Sequence, residues 1–381
     1  MNKKILYIIT FLSAMICLSA PTYAKKHSKT KNDSFWENYM YYHIVAPGEV
    51  EALAIDKDYA EAKDYYDPDL NTKSKRKVTF TYPATVKHAG KTYKLTRLPD
   101  YECSNYFDED DLQIIPTKRQ DFEYYPSGEI DDGNGWSLNY LNSVTKIVMP
   151  DTLEYIGTGS LSDCMMLKEI VFAKKYDFLT FGDYVFVTNK LKKIKIPEGT
   201  YKLGDMALGY IPEISLPYSL KKIGNYVVNS KTKKVTIATG NKKFKIKDGI
   251  LYSSDGTVLY SASAKVPKNV TIPSKVNEIK PCAFAYSNIE TVTFSNKFIS
   301  SLPSGVFANC KRLDQIIGLK EVNFIEYAAF AGCIKLTSIS NPIIYGMIAK
   351  AAFWDTKDVK MRLYDKVKVK KYAFDKPTSE E

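Results

Sequence analysis

Histidine is scarce in this chain, three in 381 residues, and that scarcity closes off much chemistry. His27 lies in a charged leader, and neither His43 nor His88 stands at zinc spacing from a cysteine. Neither a metal nor a cofactor is expected. The stretch "EIDDGNG" (129–135) opens like a calcium loop with Glu129 and Asp131, but Gly133 and Tyr140 fill the fifth and twelfth ligand places, so it reads as a turn. Carboxylate pairs such as Asp110/Asp111 have no neighbour that would split their pKa values for acid–base work. The chain is not expected to be an enzyme. After the N-terminus there is no second apolar run of about 20 residues, and no integral membrane span is expected. No finger, RNP or helix-turn-helix signature accompanies the net charge of +11, which leaves nucleic acid out of the expected partners.

What the sequence does have begins with an address. "MNKKILYIITFLSAMICLSAPTYA" sets Lys3 and Lys4 before an apolar stretch and closes on Thr22-Tyr23-Ala24, the layout of a secretory signal peptide over 1–24. Cys17 raises a lipoprotein alternative, but Ile16 stands where a lipobox wants a small residue. Removal of the peptide would leave a charge of +9, and an exported basic chain meets anionic glycans, mucins or cell surfaces. The expected location is secreted, periplasmic or on the cell surface. Residues 25–33, "KKHSKTKND", are charged and aperiodic, a flexible leader. Five cysteines remain, dispersed from Cys103 to Cys333, which is not the density of a disulfide scaffold. The fold must be held by apolar contacts.

The chain repeats itself. "FANCKRL" at 307–313 returns as "FAGCIKL" at 330–336, with Phe, Cys and Leu in the same slots. An apolar residue followed five positions later by an aromatic or aliphatic anchor recurs as Ile156/Leu161, Phe181/Phe186, Leu203/Leu208, Ile223/Val228, Ile279/Phe284, Leu302/Phe307, Ile325/Phe330, Ile348/Phe353 and Val369/Phe374. A short alternating segment keeps the same rhythm: "IVMP" at 147, "IVF" at 170, "IKIP" at 194, "ISLP" at 214, "VTI" at 235, "VTIP" at 270 and "VTF" at 292. Each reads as a strand with its first and third residues inward. One such unit cannot bury its apolar side alone, so the units must stack as rungs. Phe307 and Phe330 are then one inward position on neighbouring rungs, and Cys164, Cys310 and Cys333 share a slot three residues after the anchor. A Cys–His nucleophile is not expected, because His43 and His88 lie far from Cys310 and Cys333 in such a stack. Two readings of the shared thiols stay open: buried, inert side chains, or a Cys310–Cys333 disulfide, which strand spacing of about 4.8 Å would accommodate.

"VTIPSKVNEIKPCAF" (270–284), followed by "VFANCKRL" (306–313) one rung on, resembles the BspA-like leucine-rich repeat family, whose units read roughly "IxIPxxVxxIGxxAFxxCxxL". The resemblance covers 144–374. It extends more weakly to "ATVKHAGKTYKLTRLPDYECSNYF" (84–107), which looks like an opening repeat with Leu98 in the inward slot and Cys103 where the aromatic belongs. It departs at Ala173, where the proline is missing, and at the irregular last rungs "IIGLKEV" and "VKMRLYDKV". What the resemblance implies is a mainly β, right-handed leucine-rich-repeat solenoid of short parallel strands, with an N-terminal β-rich cap and an island hairpin. The implied function is that of an exported bacterial surface protein of adhesion type.

On this reading residues 34–140 form the cap and opening repeat, 141–376 the solenoid, and 377–381 a polar tail. "FWENYMYYHIV" and "KVTFTYPATV" are strands of the first region. The longer repeat contains an island over 239–268, a hairpin expected to protrude, with Asp255-Gly256 supplying a type I′ turn. Candidate ligand contacts are the outward middle residues of the strands, Val148, Val171, Lys195, Ser215, Thr236, Thr271 and Thr293. A second candidate is the run Lys231, Lys233, Lys234, Lys242, Lys243, Lys245 and Lys247, with no acid among them, which suits either a solvated face or an anionic polymer. Within it Lys233, Lys234, Lys242 and Lys243 are singled out. "YMYYH" (39–43) offers aromatic faces for a sugar or, more simply, for the first rung. The expected ligand is an extracellular protein or a glycan.

Overall fold

Alternation decides the local conformation. In "VTIP" the β-branched Val270 and Ile272 face one way and Thr271 the other, and Pro273, with no N–H to donate, stops the strand. The computed structural model describes residues 34–66, 76–101, 135–138, 141–295, 299–319, 321–356, 359–363 and 366–374. The expected signal peptide, leader and polar tail lie outside these residues, as do Cys17, Cys103, Asp110, Asp111, residues 129–134 and Tyr140.

Each rung supplies two short strands, and each kind stacks in parallel on its own side. Among the first strands, Lys146–Val148 lies between Thr79–Thr81 and Glu169–Val171. Lys193–Lys195, Glu213–Leu216 and Lys234–Ile237 form a second set. Asn269–Ile272, Thr291–Phe294, Gln315–Ile317 and the long Ser338–Ile348 form a third. Thr79–Thr81 comes from "KVTFTYP" and Lys91–Leu98 is its second strand, so the opening rung starts earlier than the resemblance alone suggests. The second strands then run Lys91–Leu98, Tyr155–Ile156, Lys175–Phe181, Glu198–Leu203 and Lys222–Ile223, with Leu98, Ile156 and Phe181 in register. Later rungs repeat this with Ser301–Leu302, Glu321–Ile325, the end of Ser338–Ile348 and Lys368–Val369. Before the first rung, Ser34–Glu37, Met40–Ala46 and Glu49–Asp56 form an antiparallel meander whose last strand joins Lys91–Leu98 in parallel.

The expected anchors are inside. Both members are buried in seven of the nine pairs, Ile223 is half-buried, and only Val369 and Phe374 are exposed, at 44% and 45%. That last pair corrects the inward assignment: no described rung follows to cover it. Phe284, Phe307, Phe330, Phe353 and Phe374 stack ring on ring at 5.4, 5.4, 5.1 and 5.3 Å.

Two residues before each anchor the chain turns left-handed: Gly159, Tyr184, Met206, Tyr226, Cys282, Gly305, Ala328, Ala351 and Tyr372 all have φ between 49 and 63°. For a side-chain-bearing residue this costs about 1 kcal/mol, yet glycine occupies only two of these places. The offset is a hydrogen bond to the next rung. The amide of Cys282 donates to Ser304 O, that of Gly305 to Tyr327 O and that of Tyr184 to Asp205 O, at 2.9–3.0 Å.

The shared cysteine slot is filled by free, buried thiols. Cys310 Sγ donates to Phe284 O and Cys333 Sγ to Phe307 O, each at 3.0 Å, so each thiol adds a second donor to the carbonyl of the preceding rung's anchor, which already accepts the amide of Ser287 or Cys310. Burial pushes the Cys310 thiol up to about 12 and holds the Cys333 thiol well above its ordinary value. These are inert side chains; the disulfide alternative is not realised. Asn189 and Thr356 hold the same slot elsewhere and donate to Phe186 O and Phe353 O.

The island differs from its expectation in two ways. It is a three-stranded meander, Phe244–Lys247, Ile250–Ser253 and Val258–Ala262, and its type I′ signature lies at Asp248-Gly249, with φ of 51 and 73°, not at Asp255-Gly256. At the second turn only Gly256 is left-handed, while the Asp255 carboxylate accepts from Ser253 Oγ, Thr257 N and Thr257 Oγ1. Nor does the island protrude. Phe244 and Leu251 belong to the core of the preceding rungs, Ile250, Tyr252 and Leu259 to the core of the following ones, and Val258–Ala262 pairs in parallel with Glu278–Ile279. The apolar residues on both faces of the meander require cover from both sides, so it is built into the stack.

Candidate ligand-binding faces

The outward strand residues come together in three groups. Val148 pairs with Val171; Lys195, Ser215 and Thr236 are in register; Thr271 is beside Thr293. Thr236 Oγ1 donates to Ser215 Oγ at 2.9 Å. Lys195, Thr236 and Thr271 are exposed, and the other four are half-buried. The island separates the second group from the third, so the column is interrupted rather than continuous.

The lysine run divides as well. All seven side chains are exposed, but they occupy different places. Lys234 opens a first strand with Glu213 as its register partner, and Glu213 in turn faces Lys193, so that edge alternates in sign. Lys233 precedes it. Lys242 and Lys243 follow Asn241, whose Nδ2 donates to Pro217 O, Tyr218 O and Leu220 O at 2.9–3.3 Å and fastens their turn to the preceding rung. Lys245 donates to Ser254 O inside the meander.

In "YMYYH" the aromatic residues are spent on packing: Tyr41, Tyr42 and His43 are buried, and Tyr39 stacks on Tyr59 with ring centres 4.0 Å apart. Burial, with Glu37 nearby, raises the Tyr42 phenol well above its ordinary range.

Two features had no repeat-level signal. One is a polar ladder through the early rungs. Asp100 Oδ1 accepts from Thr158 N at 2.6 Å, Asp183 Oδ1 from Asp205 N at 2.6 Å, and Asp205 Oδ1 from Asn225 N at 2.8 Å. Burial and the Asp205 charge raise the Asp183 carboxyl above the usual carboxylate value. The other is a strip of aromatic rings and ammonium groups beside the second strands. Tyr201 lies 5.2 Å from Phe178, the Lys222 ammonium 5.6 Å from the Tyr201 ring centre, and the Lys221 ammonium 5.4 Å from that of Tyr218. Among the described residues no group of three or more His, Cys, Asp or Glu side chains could hold a metal ion, and no helix is long and apolar enough to cross a membrane.

The family model for the BspA type leucine-rich repeat region matches residues 137–257 and 262–378, in six copies. Among solved structures, the pneumococcal vaccine antigen PcpA is similar with a TM-score of 0.53 and 16% identity, over 91% of this chain and 88% of that one. A leucine-rich repeat protein from Eubacterium ventriosum gives 0.46 and 15%, over 91% and 95%. A leucine rich cell surface protein from Faecalibacterium prausnitzii gives 0.42 and 15%, over 89% and 95%. No curated protein matches the chain significantly. The likeness to PcpA is one of fold: a mainly β solenoid of parallel strands.

Proposed function

The chain belongs to the BspA-type leucine-rich repeat family, and from that premise we propose that it is an exported, non-catalytic binding protein of adhesion type that recognises an extracellular protein or cell-surface ligand. The observation that supports this most is the set of outward side chains held in register from rung to rung, Lys195, Ser215 and Thr236 on one side of the island and Thr271 and Thr293 on the other. A stack fixes such side chains at a constant spacing of about 4.8 Å, and a preorganised surface loses little entropy on binding. Fold alone does not name the ligand.

The test has two parts. Fractionation of the native host, with mass determination, should recover a chain lacking residues 1–24 outside the cytosol; full-length protein in the cytosol would remove export from the reading. The chain from residue 25 should then be probed against arrays of extracellular-matrix proteins and glycans, alongside a Thr236→Lys/Thr271→Lys/Thr293→Lys variant of unchanged melting temperature. Binding lost in the variant supports the strand face, and binding that ignores the substitutions removes it. A second reading, an anionic-glycan-binding surface component, is favoured by the exposed Lys233, Lys234, Lys242 and Lys243.

A further inference from the structure

The aromatic and lysine strip beside the second strands has a chemistry that neither the strand column nor the lysine run possesses alone. Phe178 and Tyr218 are each 49% exposed, and among the described residues only Tyr39, Tyr345 and Phe374 join them as exposed rings. Tyr201, half-buried, lies between them in rung order: its ring meets Phe178, and its carbonyl accepts the Lys221 amide at 2.9 Å. Lys222 pairs in register with Lys202. Lys202 shares its charge with Asp183, but Lys221 and Lys222 make no ion pair among the described residues. Glu198, the carboxylate of this turn, accepts instead from Tyr218 N and Ser219 N at 3.0 and 3.2 Å. Asp177, one residue before Phe178, is the nearest acid in sequence. Gly240 lies against the Tyr218 ring, and Asn241 fastens the turn carrying Lys242 and Lys243 to the same loop. The strip therefore runs from the rung of Phe178 to the island.

Half-exposed rings beside unpaired ammonium groups match a ligand with an apolar sugar face and an anionic substituent. Rings stack on the C–H face of a pyranose, and lysines meet sulfate or carboxylate. Successive rungs offer this pair again after about 4.8 Å, a spacing suited to one residue of an extended saccharide. The geometry points to the strip of Phe178, Tyr201, Tyr218, Lys221 and Lys222, extended by Lys242 and Lys243, as a binding site for an acidic polysaccharide chain. This rests on the anionic-glycan reading above and is independent of the strand face.

Immobilised heparin, eluted with a salt gradient, is the probe, and dextran on the same matrix is the uncharged control. The purified chain from residue 25 should bind heparin and pass through dextran. Lys221→Ser/Lys222→Ser should elute at markedly lower salt, whereas Lys192→Ser/Lys193→Ser, which removes the same charge from the first-strand side of the rungs, should elute with wild type. Tyr218→Ser changes no charge and should weaken binding to a sulfated hexasaccharide about threefold, through the loss of one ring face against the sugar. Thr271→Lys/Thr293→Lys should not lower retention. Equal shifts for the two lysine pairs, or an unchanged Tyr218→Ser at native melting temperature, would overturn the strip. Absence of any heparin retention by wild type would overturn the anionic-glycan reading beneath it.

Discussion

The rungs before the island and those after it solve the same turn with different chemistry. In the early half the anchors are Leu161, Phe186, Leu208 and Val228, and the rungs are stitched at the turn by Asp100, Thr158, Asp183, Asp205 and Asn225. Each of the last four follows a glycine, and the glycines are there because the neighbouring rung comes too close: a Cβ on Gly204 would lie 2.2 Å from Asp183 Oδ1, and one on Gly224 2.3 Å from Asp205 Oδ1. In the late half the same places hold Lys280, Pro303, Glu326 and Ala349. There stacked phenylalanines, alanines and thiols fill the interior, and Glu326 accepts at the turn from Ser301 Oγ, Ser304 N and Ser304 Oγ of the rung before it. Aromatic pairs contribute about 0.5–1.5 kcal/mol beyond their buried area, independent of pH, whereas a carboxylate ladder carries its charge into a part-buried site. Both halves bury their anchors, but the late half adds a continuous ladder of stacked rings and the early half a carboxylate at successive turns.

The largest expected effect tests the dispersive half. Phe330 lies between Phe307 and Phe353 at 5.4 and 5.1 Å, so Phe330→Ala should cost about 3–5 kcal/mol in urea unfolding. Phe374→Ala, at the exposed end of the ladder, and Thr293→Ala, outward on its strand, should each cost under about 1 kcal/mol. Equal losses for Phe330 and Thr293 would mean that the ladder is not what holds this half.

Next comes the glycine of the polar half. Gly204→Ala forces the Asp183 carboxylate away from the Asp205 amide and should cost about 1–3 kcal/mol, the usual range for overpacking. The reciprocal change, Ala349→Gly in the late half, removes a Cβ that is already accommodated and should cost about 1 kcal/mol or less, as a backbone entropy effect. Similar losses from the two substitutions would erase the distinction between the halves at this position.

The period made the anchors and first strands readable, because each anchor returns after 20 to 25 residues in every regular rung and must face inward wherever rungs stack. The second strands were hidden by their brevity: Tyr155–Ile156, Lys222–Ile223 and Ser301–Leu302 are two residues long and cannot show alternation. The left-handed position was hidden for a different reason. Gly, Tyr, Met, Cys and Ala all occupy it, since the hydrogen bond to the next rung offsets the strain and no glycine signal is needed. In the island, Asp-Gly occurs at both turns, and local sequence does not say which pair is left-handed at both residues. The strip escaped because Phe178, Tyr201 and Tyr218 stand at different distances before their anchors Phe186, Leu208 and Val228. Only the folded turn brings their rings beside lysines.

A smaller effect concerns charge in the polar half. Burial and Asp205 raise the Asp183 carboxyl above its unfolded value, so the folded chain binds this proton more tightly than the unfolded one. Stability from this group therefore increases as pH falls from the raised folded value toward the ordinary carboxylate value, and the charge is a liability at neutral pH. Asp183→Asn keeps an oxygen for the Asp205 amide and removes the charge. Melting temperatures should show a gain equivalent to under about 1 kcal/mol at pH 7 that vanishes near pH 3.5. A loss at pH 7, or a gain independent of pH, would show that the ladder depends on the negative charge. The late half offers the control: Phe353→Leu should shift stability equally at both pH values.

The smallest effect falls on the cysteines, whose recurrence is the most conspicuous part of the repeat. Their slot sets a small donor against an anchor carbonyl, that of the preceding rung for Cys310 (Phe284 O) and that of the same rung for Asn189 (Phe186 O) and Thr356 (Phe353 O). Ser287 occupies the slot one rung earlier and lies 3.4 Å from Cys310 Sγ. Cys310→Ser and Cys333→Ser should therefore cost under about 1.5 kcal/mol each, because a hydroxyl still donates to the carbonyl. Cys333→Ala should cost more than Cys333→Ser, although it is the less polar change, since it removes one of the two donors to Phe307 O and leaves the Cys310 amide alone on that buried carbonyl. With burial raising both thiols, neither should react with a thiol reagent at pH 8 until the chain unfolds, and the labelling rate should follow the opening of the late half. If Cys333→Ala proved as stable as Cys333→Ser, the recurrence would rest on side-chain volume alone, and the late half would be cohesive by dispersion even at this slot.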